Sequence, residues 1–166
     1  MKVLMLTGPK GAGKTTLLLE WLQDNEAGGI LSPVEDGKRA FVSISSGLAW
    51  PMEAGPEEKG TVNVGRYAFS QAAFDQAVAT LLFDLRAGNY PIIIDEVGPL
   101  ELRGEGLHKV LMKITGSDKV PSLILVVREG LTEEVKKAYF EGADGVDVAS
   151  IEKFKEKARS LKRAFQ

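Results

Sequence analysis

Apolar residues in this chain fall into two patterns that alternate along its length. Short continuous runs, MKVLMLT at residues 1–7, PIIIDE at 91–96, PSLILVV at 121–127 and VDVA at 146–149, have the length and composition of buried strands. Between them, apolar positions recur at helical spacing. In TLLLEWLQD they are Leu17, Leu18, Trp21 and Leu22. In SQAAFDQAVATLLFDLRAG they are Phe74, Ala77, Val78, Leu81, Leu82 and Leu85, and Gly88 closes the helix. GEGLHKVLMKI and LTEEVKKAYF predict two more helices, the second capped by Thr132, and a terminal helix starts near Ser150. Strands apolar throughout, alternating with helices, predict an α/β fold: a mainly parallel sheet covered on both faces.

The segment after the first helix breaks the alternation. GGILSPVEDGKRAFVSISSG reads as two short strands around the turn Glu35-Asp36-Gly37-Lys38, an antiparallel hairpin added to the sheet. LAWPMEAGPEEKGTV, rich in Pro, Gly and Glu, reads as a surface loop, with Trp50 either stacking on a base or, the better reading, anchoring the loop on the core, and VGRYAF as extended chain. No repeat, low-complexity tract or linker divides the sequence. Its 166 residues are expected to form one domain, 1–166, with a hairpin and loop insertion at about 29–68.

Composition narrows the function classes. An apolar fraction of 44%, a charged fraction of 27% and a net charge of −2 suit a globular protein and argue against general nucleic-acid binding. The cations of IEKFKEKARSLKRAF fit a solvated helix face. With no cysteine, disulfide and thiol chemistry are excluded. No run approaches the roughly 20 apolar residues of a membrane span, and a cytoplasmic protein is expected.

One motif carries specific chemistry. GPKGAGKTT, residues 8–16, fits the phosphate-binding pattern GxxxxGK[ST] and lies between a predicted strand and a predicted helix. Gly8, Pro9, Lys10, Gly11, Ala12 and Gly13 would form a loop whose N–H groups, which Pro9 lacks, face the phosphates, with the positive end of the following helix behind them. Lys14 would reach the β- and γ-phosphates, the Thr15 hydroxyl would ligate Mg²⁺, and Thr16 closes the motif. A phosphate loop alone leaves binding, phosphoryl transfer and hydrolysis open. The segment IIIDEVGPLEL, residues 92–102, bears on that choice. Asp95 ends an apolar strand, at the edge where the ligands of open α/β sheets lie, and can hold the metal through a bound water. Glu96 can then orient or deprotonate an attacking water. Glu101 either closes the site or caps the next segment of chain.

GPKGAGKTT, VGRY and DEVGPLEL together resemble the nucleoside-triphosphatase family that includes the cancer-related nucleoside-triphosphatase. The resemblance covers most of the chain up to Leu102 and is weak beyond it. It implies a RecA-like P-loop fold and Mg²⁺-dependent hydrolysis of NTP to NDP and phosphate, with loose base preference. It also implies Gly8, Gly13, Lys14, Thr15 and Thr16 on phosphates and metal, and Asp95 and Glu96 on metal and water. Two stretches depart from the family pattern: glycines 28–29 precede ILSPVED rather than an aromatic-containing hairpin, and residues 48–60 are short and proline-rich.

Two arginines are further candidates. Arg66 precedes a helix and would stabilise transition-state charge as a finger supplied in cis. Arg128 follows SLILVV at the ligand edge and would contact base or phosphate. His108 reads as a structural residue in mid-helix. The rival functions are a nucleotide or small-molecule kinase and a GTP-binding adapter whose hydrolysis is incidental. The arginines are scattered without a lid-like cluster, which favours water as the acceptor over a kinase.

Overall fold

The computed structural model describes residues 1–162; the last residues of the basic terminal segment, 163–166, lie outside the described residues. In chain order the elements are β1 (Lys2–Leu6), α1 (Lys14–Leu22), β2 (Gly28–Leu31), β3 (Val34–Glu35), β4 (Lys38–Ser43), β5 (Ala49–Pro51), β6 (Thr61–Val64), β7 (Tyr67–Ser70), α2 (Gln71–Ala87), β8 (Ile92–Val97), α3 (Pro99–Leu102), α4 (His108–Thr115), β9 (Ser122–Val127), α5 (Thr132–Tyr139), β10 (Val146–Ala149) and α6 (Ile151–Lys162).

The apolar runs form the centre of one sheet, in the order β10–β1–β9–β8–β2, with every neighbouring pair parallel. Because these strands run the same way, their C-terminal ends share one edge. β4 extends the sheet antiparallel to β2, and β3 and β5 pair with β4. Alternate residues go to opposite faces. Ile92 and Ile94 of β8 join Val3, Met5, Leu123 and Leu125 in a core under α2, α4 and α5. Ile93, Leu4, Leu6 and Ile124 form a second core with Leu18 of α1 and Phe154 of α6. Helices therefore cover both faces, as the alternating pattern predicts. Helix α2 follows its predicted face: the Ser70 hydroxyl caps its start, accepting from the Ala73 N–H at 3.2 Å, and Gly88 at φ 76° closes it.

The region after α1 extends the two-strand hairpin reading. The tight turn at Asp36-Gly37 joins β4 to the short strand β3. Gly28–Leu31 lies antiparallel to β4, as expected, but its other edge is parallel to β8, which makes it a fully buried strand of the main sheet. Gly29 makes this possible. It adopts φ 110°, and a Cβ there would lie 2.0 Å from the Ile93 carbonyl oxygen, so only glycine lets β2 approach β8. Its N–H donates to the buried Asp84 carboxylate of α2 at 2.7 Å.

The predicted loop after it also carries structure. Trp50 packs on Phe41, with ring centroids 5.9 Å apart, and donates from Nε1 to the Ala73 carbonyl at 3.0 Å; Met52 is buried. These apolar anchors make Ala49–Pro51 an edge strand, where proline is tolerated. VGRYAF is extended as expected, but as part of the hairpin β6–β7, with Gly65 and Arg66 at its turn. Three smaller readings are corrected. Thr132 is the first residue of α5 rather than its cap, which is Leu131 without a side-chain bond. The predicted helix 104–114 begins only at His108, because α3 and a turn precede it. His108 accordingly lies at a helix start, not in mid-helix.

Candidate active site

The loop between β1 and α1 opens the site. Gly13, the N-cap of α1, sits at φ 88°, and no side chain occupies the exposed N–H groups at that helix start. A helix N-terminus left uncapped in this way is a ready anion site. The Lys14 ammonium donates to the carbonyls of Gly8 and Pro9, at 2.7 Å each, which holds it over the loop.

Asp95 faces this helix start from the end of β8. It is 3% exposed, and its Oδ2 accepts from the Thr15 hydroxyl at 2.8 Å and from the Ser32 N–H at 3.0 Å. The Ser32 hydroxyl donates to the Asp95 carbonyl at 3.1 Å, so Ser32 holds both ends of the residue. Burial pushes the Asp95 carboxyl up; the Ser32 and Thr15 hydrogen bonds oppose this, Glu96 adds to it, and Lys14 pulls it down. A carboxylate that is dehydrated and sits against a hydroxyl oxygen is a hard donor pair suited to a small dication, whose charge would offset that burial. With one carboxylate and one hydroxyl as donors, the rest of such a dication's shell would come from water and substrate phosphates.

Glu96 is set apart by a bulge. Ile94 pairs with Leu125 and Val97 with Val127, so β8 carries one extra residue, and Glu96 adopts φ 73°. The extra residue returns Val97 to the core face of Ile94 and stands Glu96 out at the sheet edge. A non-glycine residue in the left-handed region costs about 1–2 kcal/mol, and such residues cluster at functional positions. Its carboxylate Oε2 pairs with the Arg39 guanidinium of β4.

Beside these acids lies a cavity of about 100 Å³, walled by Phe41, Met52, Phe69 and Phe74, with Lys10, Arg39, Tyr67 and Arg128 on its polar side. The structure thus brings Lys14, Thr15, Asp95, Glu96, Lys10 and Arg128 to one edge. Pro9, Gly11, Ala12 and Thr16 lie exposed along the loop and first helical turn. Arg66 is outside this lining. It is exposed on the β6–β7 turn, its guanidinium over the Tyr67 ring at 5.2 Å and donating to the Tyr67 hydroxyl at 3.1 Å. Glu101, left open between closing the site and capping, lines the cavity and also caps: its oxygens accept from the N–H groups of Gly98 at 2.9 Å and Leu107 at 3.3 Å. The Tyr139 hydroxyl donates to the Glu101 carbonyl at 2.8 Å and lies 2.8 Å from His108 Nδ1, which fastens α5 to α3 and α4.

Ser32 and Arg39 escaped sequence reading. Ser32 follows a glycine-led strand whose parallel pairing no local pattern announced. Arg39 reaches Glu96 across 57 residues of sequence through antiparallel pairing. The one available signal was the position of Ser32 immediately after an apolar run, the same signal that marks Asp95.

A glycine loop after β1, an acid pair ending β8 and a strand between them define a RecA-like P-loop nucleotide-binding protein. The model of the family described as NTPase matches residues 3–157, and the chain belongs to that family. It is 30% identical over 147 residues to nucleoside-triphosphatase THEP1 of Methanothermobacter thermautotrophicus, covering 82% of each chain. To the Archaeoglobus fulgidus protein of the same name it is 31% identical over 150 residues, covering 84% of this chain and 86% of that one. The fold is similar over the full length of both chains to THEP1 of Aquifex aeolicus, with a TM-score of 0.73 at 19% identity. The solution structure of a human cancer-related nucleoside triphosphatase, also covered in full, gives 0.66 at 21% identity. Membership makes this chain an enzyme of the nucleoside-triphosphatase class. Among the described residues no helix is long and apolar enough to cross a membrane.

Proposed function

We propose that residues 1–166 act as one P-loop domain, in which the insertion expected at about 29–68 begins only after core strand β2, hydrolysing Mg²⁺-bound nucleoside triphosphates to diphosphate and phosphate with loose base preference. The observation that carries this reading is the acid pair: a buried Asp95 on the Thr15 hydroxyl, and beside it an outward Glu96. The loop backbone and the start of α1 bind the phosphates, Lys14 balances charge on the β- and γ-phosphates, and Arg128 contacts the phosphates from the end of β9. Thr15 and Asp95 would hold Mg²⁺, which when bound neutralises charge developing on the phosphates. Glu96 orients the attacking water and accepts its proton as the water oxygen bonds to the γ-phosphorus and the bridge to the β-phosphate breaks. A cytoplasmic location goes with such substrates.

The test is purified protein with ATP, GTP, CTP or UTP and no acceptor, in Mg²⁺ or in chelator. All four should release phosphate in amounts equal to the diphosphate formed, at rates within about tenfold of one another, and chelation should stop release. The apolar cavity beside Glu96 favours a second reading, transfer to a small acceptor. No phosphate release, with diphosphate formed only when an acceptor is supplied and the phosphoryl group recovered on that acceptor, would establish that reading instead.

A further inference from the structure

We infer that Arg39 is a positioning residue for this reaction: from hairpin strand β4 it fixes the direction in which the Glu96 carboxylate points. The inference rests on the assignment of Glu96 to the attacking water. Glu96 sits on a bulge at φ 73°, with its side chain 42% exposed, so its own strand does little to orient it. Arg39, its partner, is 14% exposed and anchored. Its N–H donates to Glu53 Oε1 at 2.6 Å, and its carbonyl accepts from the Met52 N–H at 2.9 Å. Two residues on, Phe41 meets Phe74 edge-on, centroids 5.2 Å apart, which locks β4 to α2. Strand β4 at Arg39 is therefore a fixed frame, from which a mostly buried side chain brings the guanidinium to the carboxylate. With the Glu96 side chain 42% exposed the pair is partly screened and adds modest stability, so its effect is read on geometry. Misplacing a reacting group by about 1 Å can cost on the order of a hundredfold in rate.

The experiment is a double-mutant cycle on the full chain: parent, Arg39→Gln, Glu96→Gln and the double variant, with Arg39→Lys alongside. Each is read by single-turnover phosphate release from Mg²⁺-ATP, by affinity for a non-hydrolysable ATP analogue, and by circular dichroism as a check on folding. Arg39→Gln should slow release by about 10- to 100-fold while analogue affinity stays within about threefold, and Arg39→Lys should recover part of the rate. On the Glu96→Gln background, Arg39→Gln should change release by no more than about twofold, because its effect passes through Glu96. An equal loss on both backgrounds would make Arg39 a direct phosphate contact and overturn the inference. So would a parallel loss of affinity, or an unchanged rate in Arg39→Gln. A Glu96→Gln variant as fast as the parent would overturn the underlying assignment instead, so the two failures are told apart.

Discussion

Lys14 and Arg66 differ in what holds them. Lys14 is held over the phosphate loop by two carbonyls. Lys14→Ala should weaken triphosphate binding and lower turnover by at least about a hundredfold, checked by analogue titration and phosphate release. Arg66 faces Tyr67 on an exposed turn. In this geometry Arg66→Ala should leave both turnover and affinity within about threefold of the parent. A strong loss of turnover alone would restore the finger assignment. At this scale the sequence was legible wherever chemistry is local. Lys14 and Thr15 sit in a continuous loop, and Asp95 ends a continuous apolar strand. Ser32 and Arg39 were not legible, because strand pairing, not sequence neighbourhood, brings them to the acids.

Elements were readable in proportion to how uniformly they are buried. The runs that became β1, β8 and β9 and the face of α2 follow directly from period and apolarity. The 28–60 region was legible in its antiparallel turn at 35–38 but not in its other pairings, because its strands are short and their partners decide their state. Gly28–Leu31 is parallel core only because β8 lies beside it, and Ala49–Pro51 is a strand only because Trp50 and Met52 find the aromatic cluster. Gly29→Ala tests that view. Its Cβ would meet the Ile93 carbonyl oxygen at 2.0 Å in a backbone region closed to most side chains. Strain and forced separation of β2 from β8 should together destabilise the fold by about 2–4 kcal/mol, read from the urea midpoint at unchanged slope.

Across the whole molecule, helix connections and sheet edge are coupled through a few buried polar groups. Tyr139, pinned to Glu101 and His108, is one of them. Burial, with the nearby Glu101 charge, pushes its hydroxyl from near 10 up to about 12. A raised folded-state value means the contribution is fully present below pH 10 and is lost as pH rises through 12. Urea midpoints should therefore fall across that window in the parent and fall less steeply in Tyr139→Phe; equal slopes would detach the effect from Tyr139. The parallel order β10–β1–β9–β8–β2 also delivers the phosphate loop, the acids and Arg128 to one edge, and the proposed role of Glu96 there is to direct the attacking water. The most direct measurement of that role compares Glu96→Gln with the parent for analogue affinity and single-turnover phosphate release side by side. The substitution keeps size and most hydrogen bonding but removes basicity. Affinity should remain within about threefold while release slows by on the order of 10²–10⁴-fold, roughly 3–5 kcal/mol of barrier. Release within a few-fold of the parent would contradict the assignment of Glu96 to the attacking water.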